Sequence, residues 1–150
     1  LTSHIADKFA ESKILPPMNK SFINQMIFYG KKLYLKDIIM PKKSDAIKIG
    51  YKEDQINWAF NNEKYIWEYI LEKKLLYKND SSLKKRFLDP SPFSKFYLEI
   101  DNESPGKIGQ WLGWQIVRSF SDNNPDTELL DILSMSPETL FKKSSYKPSR

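Results

Sequence analysis

Three side chains that could hold a binding partner recur at every fourth position: Gln110, Trp114 and Arg118. Residues four apart lie on the same side of an α-helix, so an amide, an indole and a guanidinium would form one stripe. The indole could stack on a partner and the guanidinium could pair with a carboxylate. Alternatively, Trp114 lies in the core and Arg118 extends from it to the surface. Both interpretations are open, and the stripe is a candidate partner-binding surface.

Two carboxylates, Asp101 and Glu103, precede the helix that would carry this stripe. Such a pair could act as acid and base or hold a cation. More often, carboxylates at this position interact favourably with the positive end of the helix dipole. We count both residues among the candidate partner-binding residues and assign no catalytic residue.

The composition excludes several kinds of chemistry. The chain has no cysteine, so it has no disulfide, thiol nucleophile or cysteine-ligated zinc, and its only histidine is His4. We therefore predict no metal site and no cofactor. The net charge of +5 comes from 24 basic and 19 acidic residues in scattered positions, which indicates solvated surface rather than a nucleic-acid interface. No apolar run approaches the roughly 20 residues that span a bilayer.

The pattern of apolar residues and helix breakers predicts an all-α or nearly all-α fold in a single domain, 1–150. Leu1, Ile5 and Phe9 would form the buried face of the first helix, and Ser21 would cap the second. Three later helices would each begin at a Ser-Pro or Asn-Pro pair. The predicted helices are 1–12, 21–35, 53–77, 83–88, 105–121, 125–133 and 137–143. We predict a connection over 40–51, at most one short extended segment near 93–100, and a loose tail from residue 144.

Two glycines inside the predicted helix 105–121, Gly109 and Gly113, share a face with Val117. A glycine within a helix costs about 1 kcal/mol relative to alanine. The usual compensation is the close approach of another backbone, which a Cβ atom would prevent. We therefore expect this helix to be central, with another element pressed against its glycine face.

Residues 87–120, from Phe-Leu-Asp-Pro-Ser-Pro-Phe through Gly-Gln-Trp-Leu-Gly-Trp-Gln to Arg-Ser-Phe, closely resemble the GldB family. Further matches are 30–34 and 144–148. The resemblance implies a lipoprotein of gliding Bacteroidota, linked to a gliding apparatus that works alongside type IX secretion. It also implies a location in the cell envelope, on the outer membrane rather than the inner one. The chain would be the carboxy-terminal part of a longer protein that contacts a membrane only through an upstream lipid anchor.

The family is also distantly similar to predicted zinc peptidases of the gluzincin kind, which carry His-Glu-x-x-His on one helix and a glutamate before a glycine on the next. The corresponding positions here hold His4, Ile5, Lys8 and Tyr29. Lysine and tyrosine cannot replace a neutral imidazole and a carboxylate as zinc ligands, and the general base is missing. The resemblance thus implies a degenerate, non-catalytic peptidase fold that binds other envelope proteins. The alternative is a metal-dependent peptidase or hydrolase whose ligands lie partly outside this chain.

Overall fold

The computed structural model of the protein describes residues 2–96 and 104–148. All regular secondary structure in these two ranges is helical, which confirms the prediction of an all-α fold. The helices are α1 (Thr2–Lys13), α2 (Phe22–Ile39), α3 (Asp45–Ile49), α4 (Glu53–Asn61), α5 (Glu63–Glu72), α6 (Ser81–Leu83, continued by a π-helical turn over Lys84–Leu88), α7 (Ile108–Asn123), α8 (Leu129–Ser134) and α9 (Pro137–Ser144).

The central pair of the fold is α2 against α7, as the glycine pattern predicted. A Cβ atom on Gly113 would lie 1.9 Å from the carbonyl oxygen of Met26, a distance that no real contact permits. Helix α2 begins at the predicted cap, where the Ser21 hydroxyl accepts a hydrogen bond from the Asn24 amide at 3.4 Å. It ends at Ile39, one turn later than predicted and directly before the Met40-Pro41 pair.

The core consists of one large cluster and one small one. The large cluster surrounds α2 and α7 and includes the fully buried Trp111 and Trp114. The small cluster joins α1, α2 and α8 and consists of Ala10, Ile14, Leu35 and Leu133. The prediction for the buried face of α1 was wrong at Ile5, which is 56% exposed. Helix α1 packs on the small cluster through the buried Ala10 and the partly buried Phe9.

The predicted helix 53–77 is two helices. It breaks at Asn62, whose side-chain amide donates to the Trp58 carbonyl at 2.8 Å and competes with the helical backbone. The predicted connection 40–51 contains the short helix α3. Ser44 caps α3 at its start, and Gly50, in the left-handed conformation with φ of 82°, ends it.

Of the three proline-marked helix starts, only the one at Ser136-Pro137 is correct. The Ser104 hydroxyl donates to the Ser94 carbonyl at 2.9 Å instead of capping a helix, so α7 starts at Ile108. Helix α8 likewise starts at Leu129, four residues after Pro125. These prolines therefore lie in turns that precede the helices.

The predicted extended segment 93–100 lies only partly within the described residues. Its first part, 93–96, is irregular and forms no strand, and 97–100 lie outside the described ranges. The prediction of a loose tail was wrong over 145–148. Tyr146 donates a hydrogen bond to Glu63 at 2.7 Å and packs edge-on against Trp67.

Candidate functional site

The structure places Trp114 in the core rather than at the surface. Its side chain is fully buried, and its indole N–H donates to Asp37 at 3.0 Å. The Arg118 guanidinium lies 3.8 Å from the centre of the Trp114 ring, stacked between the core and solvent. Gln110 lies one turn before Trp114 in α7, and its side-chain amide donates to the Leu88 carbonyl at 2.7 Å. A partner could therefore reach only Gln110 and Arg118, and partner binding by these two stays a prediction.

Arg118 is the centre of a charge network that joins α2, α3 and α7. It donates to both carboxylate oxygens of Asp37 at 2.8 Å and to both oxygens of Asp45 at 2.9 Å. Lys48 adds a further bond to Asp37 at 3.1 Å. This geometry fixes three helices relative to one another and uses nearly every donor of Arg118.

The pKa values within this network follow from its charges. Burial alone would raise the pKa of Asp37, but hydrogen bonds and the charge of Arg118 bring that pKa below its ordinary value. Burial alone would lower the pKa of Arg118, but Asp37 and Asp45 raise it. Both groups are held in their charged forms, so the network is a structural clamp rather than an acid–base pair. The other two candidates, Asp101 and Glu103, lie outside the described residues.

A cavity of about 400 Å³ lies between the α1–α2 loop and the junction of α8 and α9. Its rim is apolar and strongly exposed: Leu15 is 78% exposed and Met18 is fully exposed. Its inner wall carries polar groups from Asn24, Lys31 and Glu138. An apolar rim around a few convergent polar groups is typical of a ligand site.

Lys31 is the most unusual group in this cavity, because it is a lysine with only 4% of its surface exposed. Its ammonium donates hydrogen bonds to the carbonyl oxygens of Leu133, at 3.2 Å, and of Met135. These carbonyls lie at the end of α8, where helical backbone acceptors have no partner within the helix. Burial lowers the pKa of Lys31 to about 8.

Asn24, also buried, lies two turns earlier on α2. Its side-chain NH₂ donates to the Asn19 carbonyl at 3.0 Å and to a carboxylate oxygen of Glu138 at 3.1 Å. A second cavity, of about 350 Å³, lies on the other side of these three residues and reaches the exposed Tyr77. The two cavities share Asn19, Asn24 and Glu138 in their walls, and together we call them the Lys31 groove.

Comparison with known proteins identifies the family. A family model described as gliding motility protein GldB matches residues 1–148. The chain belongs to the GldB family. The match includes every helix described above, and membership of this lipoprotein family indicates a location in the cell envelope. Neither a comparison with curated proteins nor one with solved structures found a match.

The GldB chain presents His4 and Lys8 on the exposed side of α1, and Tyr29 packs its ring against Phe28 on α2. Within residues 2–96 and 104–148, no three histidine, cysteine or acidic side chains gather in a way that could hold a metal ion. Over the same ranges, no helix is both long and apolar enough to cross a membrane.

Sequence reasoning missed the Lys31 groove because the pair Lys31-Lys32 was interpreted as solvated surface. A signal was present: Lys31 continues the one-turn spacing of Ile23 and Ile27, both of which are buried. A lysine in register with an apolar stripe is a candidate buried cation. The carbonyls that accept from it come from α8, about one hundred residues away, and no local pattern identifies them.

Proposed function

We propose that this GldB-family chain is a non-catalytic binding component of the gliding machinery, docked to other envelope proteins through the Lys31 groove. The observation that carries the proposal is the groove itself, in which an exposed apolar rim surrounds buried polar groups. Exposed apolar side chains grouped around a concave site are typical of a binding surface. The family resemblance adds the setting: an outer-membrane lipoprotein of Bacteroidota, held by an upstream lipid anchor and acting alongside type IX secretion.

The residues at the positions of the peptidase motif support a non-catalytic role. Where the gluzincin-like relatives have a glutamate base, a second histidine and a glutamate ligand, this chain has Ile5, Lys8 and Tyr29. A zinc peptidase needs three protein ligands and a base that takes the proton of the bound water. The chain retains His4 alone from that set.

Site-specific photo-crosslinking in living cells would test the binding role. A photo-reactive amino acid at Met18, on the rim of the groove, should capture a defined envelope protein from the full-length lipoprotein. The matched control is Ile47, which is 64% exposed on α3 and lies outside the groove. Identical products from both positions, or none from Met18, would contradict the proposal.

A second measurement separates binding from catalysis. The purified protein would be incubated with a peptide mixture, with and without added zinc, and the products analysed by mass spectrometry. We expect no cleavage beyond that of a heat-denatured sample. Cleavage that disappears in Asp101→Asn or Glu103→Gln would show that the protein is a hydrolase.

A further inference from the structure

We propose that the Lys31 groove binds a short extended peptide segment through its main chain, with one apolar side chain of that segment packed against Leu15 and Met18. Lys31 would donate to a peptide carbonyl, and the side-chain oxygen of Asn24 would accept from a peptide N–H. This inference rests on the proposed binding function and names the chemistry of its partner.

Lys31 and Asn24 each have hydrogen-bonding capacity that the folded chain does not use. A lysine ammonium has three donors, and Lys31 uses two of them on the carbonyls of Leu133 and Met135. One donor remains, on a side chain that lines the cavity. The side-chain oxygen of Asn24, a buried residue lining the same cavity, has no hydrogen-bond partner among the described residues. The groove therefore offers one free donor and one free acceptor.

The orientation of the Asn24 amide follows from its neighbours. Its two partners, the Asn19 carbonyl and the Glu138 carboxylate, can only accept hydrogen bonds. The NH₂ group must face them, so the oxygen is the atom left for a ligand. A ligand that satisfies it must bring an N–H or O–H donor.

The spacing of these two groups fits an extended peptide. Asn24 and Lys31 are seven residues apart, so they lie on one side of α2 with Cα atoms about 10.5 Å apart. Three residues of extended chain rise about 10 Å, with N–H and C=O groups along their length. A donor and an acceptor carried by positions this far apart on one helix face are within reach of the main chain of a segment of three or four residues.

The charges of the groove favour a neutral main chain over an inorganic or lipid phosphate. Glu138 lines the same cavity as Lys31, and its carboxylate would repel an anion. The side chains of Leu15 and Met18 on the apolar rim have no hydrogen-bond donor for a phosphate. They can, however, pack against the side chain of a leucine or valine.

The test is a titration of the isotope-labelled full chain, followed by backbone amide resonances in NMR. The probe is the blocked tripeptide acetyl-Ala-Leu-Ala-amide. Matched probes are the same peptide N-methylated at each amide in turn, acetyl-Ala-Ala-Ala-amide, and inorganic phosphate. We expect shifts at Leu15, Met18 and Asn24, and binding about tenfold weaker for the probe that loses the N–H facing Asn24. The Ala-only peptide should also bind more weakly.

The test variant is Met18→Ser, since a fully exposed side chain contributes little to folding. It should weaken binding of the leucine peptide several-fold and leave that of the Ala-only peptide nearly unchanged. Three outcomes would each overturn the inference. They are phosphate binding without peptide binding, peptide binding that no N-methylation weakens, and resonance shifts confined to another surface. Crosslinks from Met18 without peptide binding would overturn this inference alone and leave the docking role intact.

Discussion

Gly30 of α2 lies directly against Gly113 of α7, and a Cβ atom on Gly30 would come within 2.3 Å of the Gly113 carbonyl carbon and oxygen. The contact is mutual, because the Gly113 position is blocked in turn by the Met26 backbone. Two helix backbones touch here with no side chain between them. This contact brings Trp114 and Arg118 within reach of Asp37, so the charge network depends on it.

Gly113→Ala should destabilise the protein strongly. Alanine is the better helix former by about 1 kcal/mol, but its Cβ atom would force α2 and α7 apart, at a cost of about 3 kcal/mol or more. Urea denaturation would measure the change in the free energy of unfolding. The control is Asp122→Ala, an exposed substitution near the end of the same helix, which should be neutral or slightly stabilising. A stable Gly113→Ala protein would show that the two backbones can separate easily.

Arg118→Met should leave Asp37 paired only with Lys48, and Asp45 without its partner from α7. Breaking a buried ion pair costs about 3–5 kcal/mol, and because Arg118 remains 24% exposed we expect about 2–3 kcal/mol. A double-mutant cycle with Asp45→Asn would isolate the coupling between the two charges. If the double variant is no more stable than the sum of the single changes predicts, the two groups are independent and the network interpretation is wrong.

The stability contributed by Lys31 should rise with pH. Its pKa is about 8 in the folded protein, against an ordinary lysine pKa of 10.5, so the unfolded chain holds more protons between these two pH values. The free energy of unfolding of the wild type, relative to Lys31→Met, should therefore increase from pH 8 to about 10.5. Lys20→Met, at an exposed lysine, is the matched control for the loss of a positive charge. A relative stability that stays flat or falls over this window would contradict the predicted effect of burial.

Tyr146→Phe should weaken the attachment of the carboxy-terminal segment to α5. The variant keeps the ring contact with Trp67 but loses the hydrogen bond to Glu63, a residue that is only 5% exposed. A hydrogen bond to a charged group contributes about 1.5–3 kcal/mol, and we expect a loss in the lower part of that range. Tyr77→Phe, at a 72% exposed tyrosine, is the control and should change nothing measurable in thermal denaturation.

The sequence predicted those parts of the fold that depend on neighbouring residues. Helical periodicity located α1 and α2 closely, the Ser136-Pro137 pair located α9, and the glycine spacing in α7 predicted its central position. Ser-Pro and Asn-Pro pairs proved less reliable, since Ser104 forms a tertiary hydrogen bond with Ser94 that a local rule cannot anticipate. The break at Asn62 could not be predicted either. Asparagine is compatible with a helix, and only the folded structure shows that its side-chain amide donates to a backbone carbonyl.

The candidate site was harder to predict, because its groups come from distant parts of the chain. The stripe of Gln110, Trp114 and Arg118 is a true helix face, but sequence could not say that Asp37 and Asp45 lie opposite it. A tryptophan and an arginine one turn apart give the same pattern whether they face solvent or a buried carboxylate. The Lys31 groove could not be predicted, because one of its walls is the α8–α9 junction. That junction is distant from α2 in sequence and lies beside it only in the folded protein.

The pairing of α2 with α7 has a consequence for how the chain reaches this structure. The two helices are far apart in sequence, and Asp37 and Arg118 are 81 residues apart. A core built on such distant contacts forms slowly. The long intervening chain must lose conformational entropy before the stabilising contacts between the two helices can form. During synthesis the side of α2 that faces α7 therefore stays uncovered until about residue 120 has emerged. Over that interval the nascent chain carries exposed apolar surface, which favours aggregation.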